Sequence, residues 1–401
     1  MNDISRPPLA GLRVLAVEQY GAGPWGSLQL ADLGAEVIKI EHPRDGGDMS
    51  RSVGPYFMRP GDSQFFHTFN RNKLSLALDL KHPEGAAVLH DLVRTADAVM
   101  NNLRGDVPDK LGLTYEHLGC FNPRVVCAHL SAYGRDGPRA GWPGYDFLMQ
   151  AEAGYLSLTG EPNAPPTKFG LSMVDLVTGL TCAFALLAGV LAARATGRGR
   201  DIDTSLFDTA LHNLNYPATW YLNAGAVTGR QPRSAHPSLV PSQLYTTRDG
   251  WLFVMCNKEK FWGVLAERLG HPEWRDDPRL RDFAARLAHR ALVQELLDAA
   301  FAQHTTAHWL AQLRGHVPVA PVFDVAEALE SEFVAARGDV VDYTRPDGPP
   351  VRMVASPIRP AGAELPRRAG PALGADTDRL LREIGYSEAR IAELRAAGAI
   401  A

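Results

Sequence analysis

The sequence is poor in cysteine and has no large excess of either charge. Its 401 residues include four cysteines, Cys120, Cys127, Cys182 and Cys256, whose spacing fits neither a metal site nor a disulfide framework. We therefore expect reduced thiols and a cytoplasmic protein. The formal net charge of −4 gives no strong field for nucleic acid or an anionic membrane, so we expect neither as a partner.

Targeting signals and repeats are also missing. The first eight residues lack the basic-then-apolar pattern of a signal peptide, and we find no internal repeat or low-complexity tract. The apolar and charged fractions, 45% and 21%, are ordinary for a globular protein. The length predicts about two to three domains.

One long apolar run stands out against this ordinary background. Eighteen residues without a charge, 176–193, directly follow Asp175. We interpret the run as a helix buried on all sides, with Gly197 as its C-terminal cap. Its length reaches the lower limit for a membrane span, but it contains two glycines and two threonines and lacks flanking aromatic belts, so we reject a span.

Asp175 lies at the start of this predicted helix. An aspartate there is often a structural N-cap. The functional alternative is a carboxylate at a dry helix end, where N–H donors and the helix dipole would keep it ionised against the effect of burial. The spacing alone leaves both alternatives open.

The amino-terminal part predicts a strand–helix–strand unit and thus a parallel sheet. The strands are 12–18 and 34–41, and the helix is 27–33. The turn between them matches G-x-G-x-x-G at Gly21, Gly23 and Gly26, with Glu41 twenty residues after the first glycine. This pattern is typical of a phosphate-bearing ligand such as a dinucleotide, and a tight structural turn is the alternative.

The rest of the chain predicts a large and a small domain. Strands at 74–80, 98–100, 125–130 and 201–206 alternate with helices. A loop rich in Gly, Pro and Arg follows, and then an Asp249-Gly250 hairpin with helices. We assign 1–215 and 325–401 to the large domain, 216–240 to a linker, and 241–324 to a small α+β domain.

Several stretches together resemble the class III CoA-transferases, the family of formyl-CoA transferase and the α-methylacyl-CoA racemases. They are Pro8–Val14, Ala22–Pro24, Leu30–Glu41, Leu76–Lys81, Gly197–Gly199 and Leu373–Thr377. The resemblance implies an α/β fold with a Rossmann-like large domain built from both chain ends and a smaller α+β domain. It also implies an interlocked homodimer.

The resemblance further implies the substrates and the site. Coenzyme A is expected as a substrate thioester, an acyl-CoA, with a carboxylic acid as the second substrate and no metal. Asp175, thirty residues after Tyr145, matches the nucleophilic carboxylate of the family. The implied CoA-binding residues are Gly21, Ala22, His42, Leu78, Asp79, Leu80, Lys81, Asn102, Leu103, Arg104, Lys110, Pro143, Gly144, Tyr145 and Asp146.

The sequence departs from the family pattern at several positions. His42, Leu103 and Pro143 replace an arginine, a phenylalanine and a lysine of formyl-CoA transferase, whose four-glycine loop is not evident here, and this argues against oxalate or formate. Tyr145 stands where the racemases have a catalytic histidine, which argues against racemisation.

We therefore predict CoA transfer through an acyl-aspartyl anhydride and an aspartyl-CoA thioester on Asp175. The alternatives are racemase-type proton transfer, a dinucleotide-dependent oxidoreductase, and a CoA-binding protein without catalysis. Tyr145 and Asp146 would shape the acyl pocket, although Asp146 could equally be an N-cap. Basic side chains between Arg230 and His236 hint at a dicarboxylate, with a solvated basic loop as the alternative.

Overall fold

The computed structural model describes residues 4–401, which divide into two compact units. The first unit comprises residues 1–153, 170–215 and 338–401, and the second comprises 154–169 and 216–337. Compactness alone does not show where an independently folding domain ends, so the predicted domain boundaries stay predictions.

Thirteen strands occur in the described residues. They are β1 (Arg13–Val17), β2 (Glu36–Glu41), β3 (Phe57–Arg59), β4 (Asp62–Ser63), β5 (Leu74–Ala77), β6 (Ala98–Asn101), β7 (Val126–Ser131), β8 (Arg200–Ser205), β9 (Ser242–Thr246), β10 (Trp251–Met255), β11 (Val319–Pro321), β12 (Val340–Tyr343) and β13 (Val351–Val354).

Sixteen α-helices accompany them in residues 4–401. They are α1 (Ala22–Asp32), α2 (Gln64–Asn70), α3 (Pro83–Val93), α4 (Tyr115–Leu118), α5 (Asp146–Glu152), α6 (Met173–Thr196), α7 (Leu206–Asn213), α8 (Tyr216–Ala224), α9 (Glu259–Arg268), α10 (Phe283–Ala288), α11 (Arg290–Phe301), α12 (Thr306–Leu313), α13 (Val325–Leu329), α14 (Glu332–Arg337), α15 (Thr377–Glu383) and α16 (Glu388–Ala396).

The first unit is built on a six-stranded parallel sheet in the order β5-β2-β1-β6-β7-β8. The strand order reverses between β1 and β6, and in such sheets ligands bind beyond the carboxyl ends of the strands at this switch point. The carboxyl-terminal helices α15 and α16 supply Leu380, Leu381, Ile391 and Leu394 to the same core as Leu76. The α/β fold and the contribution of both chain ends are confirmed.

Helix α6 is less buried than its sequence predicts. One side packs against α1, β7 and β8, and it buries residues such as Cys182, Leu186 and Val190. On the other side Phe184 and Leu191 are 75% and 68% exposed, so the prediction of a helix buried on all sides is wrong. The cause is that an apolar composition shows only which faces of a helix can be buried. How many of these faces are buried depends on how many other elements of the chain pack against the helix.

The same helix passes the length and composition test for a membrane span. Within the 18-residue window that meets the test, 44% of the residues are buried inside the protein. Since core helices of globular proteins pass this test too, the helix is weak evidence for a membrane, and the absence of a membrane partner stays a prediction. Gly197, with φ of +75°, ends the helix in the left-handed conformation, as predicted.

The second unit contains the predicted hairpin. Strands β9 and β10 pair antiparallel, and β11 adds to the other edge of β10. Residues 283–302 form two helices, α10 and α11, because the backbone of His289 leaves the helical region. The predicted linker, 216–240, contains helix α8. The sequence did not indicate this helix, because glycine, proline and arginine are abundant further along the segment.

Candidate functional site

A cavity of about 190 Å³ opens at the switch point of the parallel sheet, entirely within the first unit. It brings together nine of the predicted site residues, which are Gly21, Ala22, Asn102, Leu103, Arg104, Pro143, Gly144, Tyr145 and Asp175. The other lining residues are Gln19, Tyr20, Met49, Leu130, Ser131, Ala132, Trp142 and Leu206. The lining therefore combines apolar walls with one carboxylate and one guanidinium.

The carboxylate of Asp175 faces the backbone of Gly21. Gly21 is the N-cap of α1, and a Cβ placed on it would lie 2.7 Å from Oδ2 of Asp175. Only a glycine leaves room for the carboxylate here. The loop after β1 and the first turn of α6, more than 150 residues apart, thus form one wall of the cavity.

A glycine pair permits this approach. A Cβ on Gly179 would lie 2.4 Å from the carbonyl oxygen of Ala22, and a Cβ on Gly26 would lie 2.5 Å from the carbonyl oxygen of Gly179. Helices α1 and α6 therefore cross with their backbones in contact, as small residues allow. The crossing fixes the position of Asp175 relative to the start of α1.

The environment of Asp175 favours its neutral form. The residue is only 9% exposed, and burial together with the nearby negative charge of Asp146 raises the pKa of its carboxyl to about 7. We expected N–H donors at the helix end to keep it ionised, and this expectation is wrong. Asp175 is the third residue of α6, and no hydrogen bond to its carboxylate is present in residues 4–401, so desolvation dominates.

Asp146 caps the helix that carries Asp175. It is the first residue of α5 and is buried, and its Oδ2 accepts a hydrogen bond of 2.9 Å from the backbone N–H of Asp175. Its Oδ1 accepts a hydrogen bond of 2.6 Å from Nε2 of Gln150. Asp146 does not line the cavity, so its side chain supports the wall from behind.

Asn102 holds the loop before Gly21. Its Nδ2 donates to the carbonyl oxygen of Gln19 at 2.8 Å, and its Oδ1 accepts from the Gln19 backbone N–H at 2.9 Å. A Cβ on Gly23 would meet the Asn102 side chain at 2.7 Å. The segments that follow β1 and β6 are therefore joined directly across the switch point.

A buried network of four charged residues, Glu18, Lys39, Asp48 and Lys73, lies under the same loop. Each of the four side chains is fully buried. Lys73 Nζ donates to Glu18 Oε1 at 2.7 Å and to the Pro24 carbonyl oxygen at 2.9 Å. Burial lowers the pKa of the Lys73 ammonium to about 8.

Lys39 and Asp48, the other two residues of this network, also form hydrogen bonds with the backbone. Lys39 Nζ contacts Asp48 at 2.7 Å and donates to the carbonyl oxygen of Glu18 at 3.0 Å. Asp48 Oδ1 accepts from the backbone N–H of Tyr20, a non-glycine residue with φ of +69°. The strained backbone before Gly21 is thus held from below by ion pairs.

Two cations, Arg104 in the cavity lining and Lys110 outside it, share one carboxylate. Arg104 and Lys110 both contact the carboxylate of Asp106, at 2.5 Å and 2.6 Å, and both side chains are largely exposed. Their hydrogen bonds hold the pKa of Asp106 well below its usual range. Exposed cations beside a cavity suit the phosphates of a nucleotide-containing ligand.

Seven predicted CoA-binding residues lie outside the cavity lining. Besides Lys110 and Asp146, they are five residues near the carboxyl ends of β2 and β5. Nε2 of His42 is 3.5 Å from Asp79 Oδ2, and Asp79 also accepts from the backbone N–H of Lys81 at 2.9 Å. Leu78 is buried in the core and Leu80 packs against it. The role of these residues in binding CoA stays a prediction.

Two of the three glycines in the pattern near residue 21 lie inside helix α1, so a phosphate-bearing ligand at this turn stays a prediction. The helix begins at Ala22, five residues earlier than predicted, so Gly23 and Gly26 are helical and serve helix packing. Glu41 is buried, and its carboxylate accepts hydrogen bonds from Arg51 at 2.7 and 2.8 Å and from Ser75 at 2.6 Å. It is therefore not available to bind a ribose.

The predicted dicarboxylate contacts of the second unit are already engaged. Arg230 Nη1 donates to the carbonyl oxygens of Ala164 and Pro165, and Arg233 Nη1 donates to Asp298 at 2.5 Å. Among residues 4–401, no group of three or more His, Cys, Asp or Glu side chains is placed to hold a metal ion.

Sequence reasoning missed most of the supporting residues. Ser131 and Leu206 follow the rule for carboxyl ends of parallel strands and could have been found in that way. Lys39 and Lys73 could have been suspected because they are charges inside predicted buried strands. Gln150 and Asp48 give no local signal, since their roles depend on residues distant in the sequence.

Comparison with known proteins gives a consistent result over nearly the whole chain. The model of CoA-transferase family III matches residues 9–377. Succinate–glutarate CoA-transferase of Agrobacterium fabrum is 34% identical and is aligned over 94% of this chain and 96% of its own. Acetyl-CoA:oxalate CoA-transferase of Acetobacter aceti is 34% identical over 96% of this chain and 97% of its own.

A solved structure agrees in fold. A CAIB/BAIF family protein from Brucella suis superposes with a TM-score of 0.80 at 34% identity, covering 94% of this chain and 100% of that protein.

Proposed function

Since this chain belongs to CoA-transferase family III, and moves CoA between acyl-CoA thioesters and carboxylic acids, we propose that Asp175 is its nucleophile. The observation that carries the proposal is the placement of one buried carboxylate against Gly21 in the cavity at the switch point. Asp175 is the only carboxylate among the residues that line this cavity.

The proposed reaction has four displacement steps and conserves the energy of the thioester. The Asp175 carboxylate attacks the thioester carbonyl, the C–S bond breaks, and CoA leaves as a thiolate from an acyl-aspartyl anhydride. The thiolate then attacks the aspartyl carbonyl and releases the donor acid as a carboxylate. The acceptor carboxylate then attacks the aspartyl carbonyl of the resulting aspartyl-CoA thioester, and CoA leaves as a thiolate from a new anhydride. The thiolate attacks the acceptor acyl carbonyl of this anhydride, which gives the new acyl-CoA and releases the Asp175 carboxylate.

The start of α1 supports this chemistry. Gly21 precedes a helix of eleven residues and provides no side-chain cap, and the backbone N–H groups of Ala22 and Gly23 have no partner within residues 4–401. Such groups, with the positive end of the helix dipole, can stabilise the oxyanion or the CoA thiolate. The residues that line the cavity include no histidine, which supports transfer rather than racemisation by two bases.

For the phosphates of CoA we propose Arg104, which lines the cavity, and Lys110, which contacts the same Asp106 carboxylate as Arg104. The other residues of the predicted CoA site are proposed with them, except Asp146, whose buried side chain supports the cavity wall from behind. For the acids we propose short dicarboxylates, because both relatives described above carry a dicarboxylate in their names. One of them is named for oxalate, so oxalate belongs among the candidates despite the departures from formyl-CoA transferase.

We also propose a cytoplasmic homodimer. The exposed apolar side chains of α6, among them Leu180, Phe184 and Leu191, support an interface of this chain with a second copy. Light scattering after size-exclusion chromatography measures the mass directly. A monomer at micromolar concentration would contradict the homodimer without affecting the proposed chemistry.

The nucleophile is tested by replacement and trapping. Asp175→Asn should abolish transfer of CoA from succinyl-CoA to glutarate, while Asp342→Asn, a replacement of an exposed carboxylate on β12, should leave it unchanged. Incubation of the unaltered enzyme with acyl-CoA alone should give a peptide that contains Asp175 in thioester linkage to CoA. Full transfer by a folded Asp175→Asn variant would show that the proposal is wrong.

A further inference from the structure

The position and charge state of Asp175 depend on a second carboxylate. We propose that Asp146 is a positioning residue, which fixes the first turn of α6 through the Asp175 backbone and restrains ionisation of the Asp175 side chain. The inference rests on the proposed role of Asp175 as nucleophile and adds to it the group that controls the nucleophile.

The first observation is the hydrogen bond from the Asp175 backbone N–H to Asp146 Oδ2, at 2.9 Å. The residue before the helix, Ser172, makes no side-chain cap bond, so the first turn lacks the usual local cap. Asp146 supplies the missing acceptor from 29 residues earlier in the chain. Because Asp146 is only 3% exposed, water cannot easily replace it in this role.

The second observation is that Asp146 is itself held in place. Gln150, one turn later on α5 and fully buried, donates from Nε2 to Asp146 Oδ1 at 2.6 Å. The same Nε2 lies 3.3 Å from the carbonyl oxygen of Leu171, just before α6. The carboxylate therefore has a fixed orientation between two elements.

The third observation concerns charge. After burial, the negative charge of Asp146 is the cause that raises the pKa of Asp175. The other titratable groups that line the cavity are Tyr20, Tyr145 and Arg104, and the charge of Arg104 is directed to Asp106. Among residues 4–401, Asp146 is thus the one charged group whose field acts clearly on the Asp175 carboxyl.

This arrangement gives the nucleophile two properties at once. The backbone bond places the carboxylate opposite Gly21, and the adjacent charge makes the anion more basic than an isolated aspartate. A more basic carboxylate is a better nucleophile towards a thioester. The disadvantage is that a larger fraction of the Asp175 carboxyl is protonated, and therefore not nucleophilic, at and below neutral pH.

The test compares Asp146→Asn, Asp146→Ala and Gln150→Ala. Asparagine keeps an acceptor for the Asp175 N–H and removes the charge. The acid limb of the kcat/KM profile for succinyl-CoA should move to lower pH by about one unit, with a plateau within a few-fold of the unaltered enzyme. Alanine should move the limb similarly and lower the plateau by tenfold or more, because the cap is lost as well.

Gln150→Ala is the matched control, since it loosens Asp146 but leaves its charge. Its plateau should fall, while its acid limb should not move to lower pH. The inference is overturned if Asp146→Asn leaves the limb unmoved, or if Gln150→Ala moves it as far as Asp146→Asn does. In the second case loosened packing, and not charge, would control Asp175.

A titration without turnover separates this inference from the proposed function. Infrared difference spectra between the unaltered protein and Asp175→Asn report the protonated carboxyl of residue 175 directly. The midpoint should fall in the Asp146→Asn background, even if Asp175 proved not to be the nucleophile. An unchanged midpoint would overturn the inference. If Asp146→Asn does not fold, the same titration is carried out with Gln150→Ala. A lowered midpoint in Gln150→Ala would contradict control by charge, because this variant keeps the Asp146 carboxylate.

Discussion

The carboxylate of Asp175 faces the backbone of Gly21 so closely that one added methyl group on Gly21 would lie 2.7 Å from Oδ2. Neither residue could be shifted alone. Gly21 is held by Asn102 and the buried network through the preceding loop, and Asp175 by the crossing of α6 over α1.

Gly21→Ala should therefore give a folded protein with little activity. The new methyl group must displace the carboxylate, and a displacement of about 1 Å at a reacting group can lower kcat by about 100-fold. The control is Gly170→Ala, since a Cβ on Gly170 meets no atom within 4 Å and its φ is ordinary. Steady-state kinetics with both variants test this prediction, which is wrong if Gly21→Ala retains the kcat of the unaltered enzyme.

The activity should depend on pH around neutrality. The pKa of Asp175 is raised to about 7 and the nucleophile is the anion, so kcat/KM should rise with pH up to a plateau above about pH 8. At one pH unit below the pKa, about a tenth of the carboxyl is ionised and the rate should fall accordingly. A profile that is flat from pH 5 to pH 8 would contradict the raised pKa.

Stability should depend on the same carboxyl with the opposite sign. The folded protein binds a proton at Asp175 up to about pH 7, whereas the unfolded chain loses it near 3.8. Protonation of Asp175 therefore stabilises the folded state most at low pH. Its contribution to the free energy of unfolding, at most about 4 kcal/mol, is lost as the pH rises from 4 to 7.

The variant Asp175→Asn lacks that proton-linked contribution. Its Tm relative to the unaltered protein should increase between pH 5 and pH 8, as measured by scanning calorimetry. Asp342→Asn, on the exposed surface, should show no such trend. A Tm difference for Asp175→Asn that is constant with pH would show that its carboxyl has an ordinary pKa.

Lys73→Met should destabilise the first unit. The replacement leaves the Glu18 carboxylate buried with a cation no closer than Lys39 Nζ at 4.0 Å. Breaking a buried ion pair costs about 3–5 kcal/mol, which corresponds to a Tm lower by about 5–10 °C. Lys81→Met, on the exposed surface, is the control, and equal Tm values for the two variants would contradict the prediction.

Arg104→Ala should weaken binding of the CoA ester without slowing the chemistry. Loss of one charged contact to a phosphate should raise KM for succinyl-CoA by about tenfold at low salt, and the effect should shrink as ionic strength rises. Arg352→Ala, an exposed arginine on β13, should leave KM unchanged. A lower kcat with an unchanged KM would assign Arg104 a different role.

The sequence indicated the parallel sheet, because alternating strand and helix patterns depend on local side-chain periodicity. It also indicated Asp175, because one acid at the start of an uncharged run is visible in the sequence itself. The predicted start of α1 was five residues too late, because a pattern of residue types at glycines 21, 23 and 26 does not show where a helix begins. In the fold, Gly23 and Gly26 face Asn102 and Gly179.

By itself, the sequence determined the order of elements, the family and the acid that we propose as the nucleophile, since these follow from local patterns and from similarity along the chain. Only the tertiary structure decided that Asp175 meets Gly21, that Asp146 caps α6, and that Lys73 neutralises Glu18 beneath the site. These contacts join residues that are 29 to 154 positions apart in the sequence. Their geometry depends on how closely two distant backbone segments pack, and this distance cannot be read from any single segment.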